Sequence, residues 1–170
     1  SSIPAYNDYA DKALRTELDP AALAELRQLD AAKDYTNPRF EELLVPHYER
    51  HVLRRAIAEW PDPVIRGFMK HLNRKVYVPM QGPSELGASG ILVKWDRPAD
   101  LAKINVPTLV IGARYDTMDP KWMGMMSKRL PHGEFLYLPN GSHSSCYDDQ
   151  DAYFAGLLKF LHTVDDGKAP

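Results

Sequence analysis

Cysteine is almost missing from this chain: Cys146 is the single one in 170 residues. No internal disulfide can form, which suits a reducing compartment, and a cytoplasmic setting is the expectation. Long apolar runs are lacking too. No stretch of about 18 apolar residues occurs, so no membrane span is expected. The opening Ser-Ser-Ile-Pro-Ala-Tyr-Asn has no basic segment leading into an apolar one, so it does not read as a signal peptide. It also has no Met, which leaves the natural beginning open. Neither sign of charge dominates. With 21 Lys and Arg against 23 Asp and Glu, the formal net charge is −2, and neither nucleic acid nor an anionic membrane is an expected partner. Internal repeats and low-complexity tracts are absent. Gly-x-Ser-x-Gly is absent as well, so the strained elbow that exposes a serine after a strand is not found here.

What is present is concentrated between Val106 and His143. Pro107 to Ile111 is a short branched apolar run closed by Gly112, the pattern of a strand buried on both faces of a parallel sheet. Asp116 lies just beyond its carboxyl end. Asp119-Pro120 supply an N-cap and a first-turn proline. Trp122, Met125, Met126 and Leu130 fall at helical spacing on one face. Phe135 to Leu138 is a second short strand, and Asn140-Gly141 predict a sharp turn directly after it. Strand, acid, helix, strand, histidine is a right-handed βαβ unit. It places Asp116 and His143 on the rim where ligands bind in open α/β sheets. There a carboxylate can fix the tautomer of an imidazole and steady its charged form. The plainer reading is a turn-capping Asp and a surface-loop His.

Residues 1–76 read as helices, with openings at Asp19-Pro20 and Asn37-Pro38 and a break at Trp60-Pro61-Asp62-Pro63. Pro46 should kink or split the third helix. Val76 to Met80 reads as extended, and Gln81 to Gly90 as a loop with Glu85 in its middle. Pro98 to Ile104 predicts a short helix, Gln150 to Val164 a long amphipathic one, and the tail from Asp165 to Pro170 is expected to fray. Two strands under a helical layer leave an open sheet edge. The rest of the sheet is therefore expected from a preceding segment or another polypeptide.

Other candidate chemistry is weaker. His47 and His51, four apart on one helical face, have the spacing of a zinc pair, but no third ligand follows and the sequence is not His-Glu-x-x-His. They read instead as lining a solvated or cleft-facing helix. Ser142, Ser144, Ser145 and Cys146 crowd His143, yet nothing nearby would activate the thiol. Glu85 in its loop is either solvent-exposed or, facing a cleft, a partner for a substrate ammonium.

Taken together, Val76-Tyr77, Gly82-Pro83-Ser84-Glu85, Trp95-Asp96, Pro107 to Val110, Gly112 to Asp116 and Gly141-Ser142-His143, in that order and spacing, resemble the proline iminopeptidase family of α/β-hydrolases. That family includes a branch acting on L-prolinamide and other amino-acid amides. The resemblance implies an α/β-hydrolase fold, of which residues 1–90 are a helical cap with its return loop. Residues 91–170 are then the carboxyl-terminal part of a mostly parallel core. It implies a serine hydrolase acting on a small peptide or amino-acid amide with a free amino end, with proline-like residues preferred. Asp116 matches the family's acid and His143 its base, while the serine and oxyanion segment precede the matched region. The amino-terminal half of the same enzyme is thus the implied partner. Glu85 matches a cap-loop acid that holds the substrate's amino group, and Tyr77 a neighbouring tyrosine. Thr117 stands where some members carry a second glutamate, which leaves small amides open as substrates. No metal or cofactor is implied. An esterase, an epoxide hydrolase or a non-catalytic binding module on the same fold are the alternatives.

Overall fold

The computed structural model describes residues 2–168; the end of the tail, 169–170, lies outside them. Helices open where the sequence caps them. Helix α1 (Ile3–Lys12) starts at Ser2, whose hydroxyl accepts from the Ala5 amide. Helix α2 (Pro20–Ala32) starts at Asp19, which accepts from the Ala21 and Ala22 amides. Asn37 caps α3 (Pro38–His47) through Arg39. Each of the three has proline in its first turn, where a missing N–H costs nothing. Leu14, Leu26, Phe40, Leu43, Leu44, Val52, Leu53 and Trp60 bury together between these helices. Each such side chain contributes about 1.5–3 kcal/mol by leaving water.

Pro46 does not break its helix. Helix α3 runs through it and widens into a π turn over Tyr48–Val52, closed by the Leu53 amide on the Tyr48 carbonyl at 3.1 Å. The expected break at Trp60–Pro63 is shorter, confined to Trp60-Pro61: Asp62 and Pro63 already open α4 (Asp62–Val64), which continues as a π turn through Lys70.

The segment expected to be extended is helical. Residues Arg74–Met80 form α5. Among the described residues no strand lies beside Val76 to Val78 to take their backbone groups, and those groups pair locally: Tyr77 N–H with the Asn73 carbonyl at 2.9 Å and Gln81 N–H with the Tyr77 carbonyl at 2.8 Å. The requirement that backbone groups be paired overrides the branched side chains' preference for strand.

Strand β1 (Thr108–Tyr115) and strand β2 (Gly133–Ser142) form a two-stranded parallel sheet, joined through α6 (Pro120–Ser127). Gly112 does not close β1 but lies inside it. A Cβ there would meet Met123 Cβ at 3.0 Å and the Phe135 ring at 3.1 Å, so glycine lets α6 pack close. On α6 the face toward the sheet carries Met123 and Met126, packed with Leu101, Val110 and Leu130, whereas Met125 is exposed. Asn140-Gly141 makes no sharp turn. The strand continues to Ser142, and the register shifts between Ala113 opposite Leu138 and Tyr115 opposite Ser142. That irregularity lets β2 deliver His143 beside the end of β1. Two helices follow, α7 (Ser145–Asp148) and α8 (Gln150–Asp165).

The apolar stripe of α8 is largely uncovered. Phe160 is buried, but Phe154, Leu158 and Leu161 are exposed, as are Val106, Trp95 and, at 73%, Ile91. Among the described residues the sheet has two strands, with no third to cover its edge.

Candidate active site

Asp116 and His143 meet. His143 Nδ1 lies 2.9 Å from Asp116 Oδ1. The carboxylate is 7% exposed, and the same oxygen accepts the Met118 amide at 3.0 Å. Thr117, fully buried, places its hydroxyl 3.4 Å from that oxygen and 3.3 Å from His143 Nδ1. The imidazole side chain is 45% exposed. Its hydrogen bond to Asp116 raises its pKa above the ordinary histidine value; partial burial opposes this, and the charges of Asp116 and then Glu85 add to it. With Nδ1 donating to the carboxylate, Nε2 is left as the basic nitrogen.

Glu85 is within electrostatic reach of His143 and of three tyrosines, Tyr6, Tyr48 and Tyr77. The Tyr77 hydroxyl donates to Glu85 Oε1. Burial, followed by the charge of Glu85, holds the Tyr77 hydroxyl far above its usual range, so it stays a donor. The loop carrying Glu85 is pinned from two helices. From α1, the Asn7 side chain bonds both backbone groups of Ala88, at 2.9 and 2.7 Å, and the Tyr6 hydroxyl accepts from Gly87 N–H at 3.0 Å. From α3, His47 Nε2–H donates to the Glu85 carbonyl at 3.0 Å. Gly87 sits at φ +91°, where a side chain would be strained and would collide with Arg15. A cavity of about 140 Å³ opens beside Tyr77, walled by Leu44, Tyr48 and Phe68 but also by Glu41, Lys70 and Arg74; Asp116, His143 and Glu85 do not line it. A larger one, about 320 Å³, lies behind the loop against Arg15 and Asp30; neither Asp116 nor His143 lines it.

His47 and His51 are not on a solvated face. Both are buried, at 2% and 3%, and their rings lie 5.0 Å apart. Each bonds a distant backbone carbonyl, His47 that of Glu85 and His51 that of Tyr115. Among the described residues no cluster of three or more His, Cys, Asp or Glu is placed to hold a metal. Burial pushes the Cys146 thiol up, away from thiolate. Ser142, fully buried, bonds Asp148 through its hydroxyl and its amide. Two participants escape a reading of the sequence, Asp148 under Ser142 and the backbone of His51-Val52; the sequence singles out Thr117, but not its contact with the dyad. Helical spacing in His-Tyr-Glu-Arg-His was the one available signal, and it does not reveal a partner 64 residues away.

An acid and an imidazole bonded at the carboxyl rim of parallel strands, with helices leading to a second acid, define an α/β-hydrolase with a helical cap. Comparison with known proteins narrows this. No family model matches the chain. Its sequence is 48% identical to the proline iminopeptidase of Flavobacterium johnsoniae over 169 residues, covering 99% of this chain and 56% of that protein. It is 49% identical to the proline iminopeptidase of Elizabethkingia meningoseptica, covering 97% and 55%. Among solved structures, VinJ superposes with a TM-score of 0.86 at 26% identity, over 95% of this chain and 54% of that one. The proline iminopeptidase of Mycobacterium smegmatis superposes with 0.78 at 25% identity, over 98% and 55%. Over the part it covers, the chain is similar to proline iminopeptidases, and it spans about half the length of the relatives it matches.

Proposed function

We propose that this chain supplies the acid, the base and the cap of a serine hydrolase that cleaves an amide or peptide bond after a free N-terminal residue, proline-like by preference. The observation that carries this is the 2.9 Å bond between His143 Nδ1 and the buried Asp116 carboxylate. The nucleophilic serine lies on protein outside these 170 residues. That protein also covers the open sheet edge and the exposed apolar face of α8. In the reaction the serine hydroxyl adds to the carbonyl as His143 Nε2 takes its proton. The C–N bond then breaks and the proton passes to the leaving amine. Water, activated by the same nitrogen, releases the acyl group. Asp116 keeps Nδ1 protonated and steadies the imidazolium.

Glu85, with Tyr77 donating to it, is proposed to bind the substrate's ammonium by a charge-assisted hydrogen bond. No metal or cofactor enters these steps, and the single cysteine suits a cytoplasmic enzyme.

The test is a substrate panel on the protein carrying both this chain and the serine segment: prolinamide, alanine amide, an N-blocked prolinamide and nitrophenyl esters. Hydrolysis of free-amine amides, lost by orders of magnitude on His143→Ala, is expected. Ester-only turnover would point to an esterase instead. Wild-type turnover by His143→Ala would refute the base.

A further inference from the structure

One short segment of the cap touches both halves of the dyad. His51 and Val52 end the π turn that follows α3. The last carbonyls of a helix have no partner within it. Here two of them are taken by the histidine loop: the His143 amide donates to the His51 carbonyl at 2.9 Å, and the Ser144 amide to the Val52 carbonyl at 2.9 Å. The side chain of His51 reaches the other loop. Its Nδ1 lies 2.9 Å from the carbonyl of Tyr115, the residue before Asp116. Its Nε2 lies 3.1 Å from Glu17 Oε2, an oxygen that Arg50 Nε also contacts. His51 and Val52 are 3% and 2% exposed.

We propose that His51 is a positioning residue. Its backbone fixes the base loop, its ring fixes the acid loop, and Glu17 holds the ring, so the cap sets the distance between Asp116 and His143. This rests on the hydrolase reading above. Both ring nitrogens of His51 face oxygen atoms, Nδ1 the Tyr115 carbonyl and Nε2 the Glu17 carboxylate, so the ring is held from both sides. Arg50 and the ring of His47 are its other polar or charged neighbours.

The test uses the complete protein and follows kcat, KM and the pH profile of His51→Ala, His51→Gln and Glu17→Gln, beside His143→Ala. With His51→Ala the acid loop loses its tether, and kcat should fall roughly 10- to 100-fold, the cost of a displacement of about 1 Å. KM should stay within about twofold, because Glu85 is held by His47 and α1 instead. The groups facing His143 are Asp116, Thr117 and, at longer range, Glu85. As the Asp116 bond weakens, the acid limb of kcat should move to lower pH. His51→Gln keeps an N–H for the Tyr115 carbonyl and should recover part of kcat. If His51→Ala does not fold, Glu17→Gln, at a half-exposed site, should still lower kcat severalfold and shift the limb the same way. Wild-type kcat and an unmoved limb in the folded variants, with His143→Ala inactive, would overturn the positioning role alone. An active His143→Ala would overturn the hydrolase reading on which it rests.

Discussion

Replacing Asp116 by Asn tests the dyad at the level of single atoms. One carboxylate oxygen, Oδ1, takes both the Met118 amide at 3.0 Å and the His143 ring nitrogen at 2.9 Å. An asparagine held by the Met118 amide therefore turns its carbonyl oxygen to that same point. His143 keeps an acceptor and its tautomer, and only the charge is lost. A hydrogen bond to a charged group contributes about 1.5–3 kcal/mol, and a neutral one about 0.5–1.5. The difference, about 1.5 kcal/mol, corresponds to roughly tenfold in kcat. The half-exposed imidazole keeps the effect from growing larger, because water screens it. The pH profile supplies a second readout. The bond to Asp116 is the main reason the His143 pKa is raised. A base acts when deprotonated, so lowering its pKa moves the acid limb of kcat to lower pH. Steady-state kinetics on prolinamide between pH 5 and 9 would measure both. A loss near 10⁴-fold is what an imidazole trapped in the wrong tautomer gives, and it would refute the shared-oxygen geometry. Unchanged kcat and an unmoved limb would remove Asp116 as the partner of His143.

Two further predictions concern the cap. Glu85→Gln should raise KM for free-amine substrates about tenfold or more, as loss of a charged partner implies, and Tyr77→Phe about fivefold. N-blocked substrates should change little; equal effects on blocked and free substrates would take Glu85 out of the amine site. Burial holds His47 neutral, with its pKa pushed down to about 4. Because the folded value lies below the unfolded one, the stability it contributes is present above about pH 6.5 and is lost as pH falls toward 4. In urea titrations at pH 7 and 4.5, the wild type should lose on the order of 2 kcal/mol more than His47→Asn. Parallel losses would contradict a neutral buried His47.

The sequence carried the site's skeleton because the signals for it are local. Asp19-Pro20, Asn37-Pro38 and Asp119-Pro120 each combine a capping side chain with a first-turn proline, and each opens a helix. Strand, acid, helix, strand and histidine follow one another within 40 residues, so their meeting needs no distant partner. What was illegible depends on residues far away in the chain. Val76-Tyr77-Val78 has branched residues that favour strand, and among the described residues no strand is placed to pair with them, so their backbone groups pair within a helix. His47 and His51 have the spacing of a metal pair, and what separates that from two buried tethers is the carbonyls of Glu85 and Tyr115. Asn140-Gly141 has the composition of a turn, but the pairing of Tyr115 with Ser142 draws it into the strand.

The central claim is that Asp116 and His143 activate a serine lying outside these residues. A fluorophosphonate probe on the complete protein, followed by peptide mass spectrometry, tests it most directly. The account predicts a single modified serine outside residues 1–170, with labelling abolished by His143→Ala. A label on Ser142, Ser144 or Ser145, or labelling that survives His143→Ala, would contradict it.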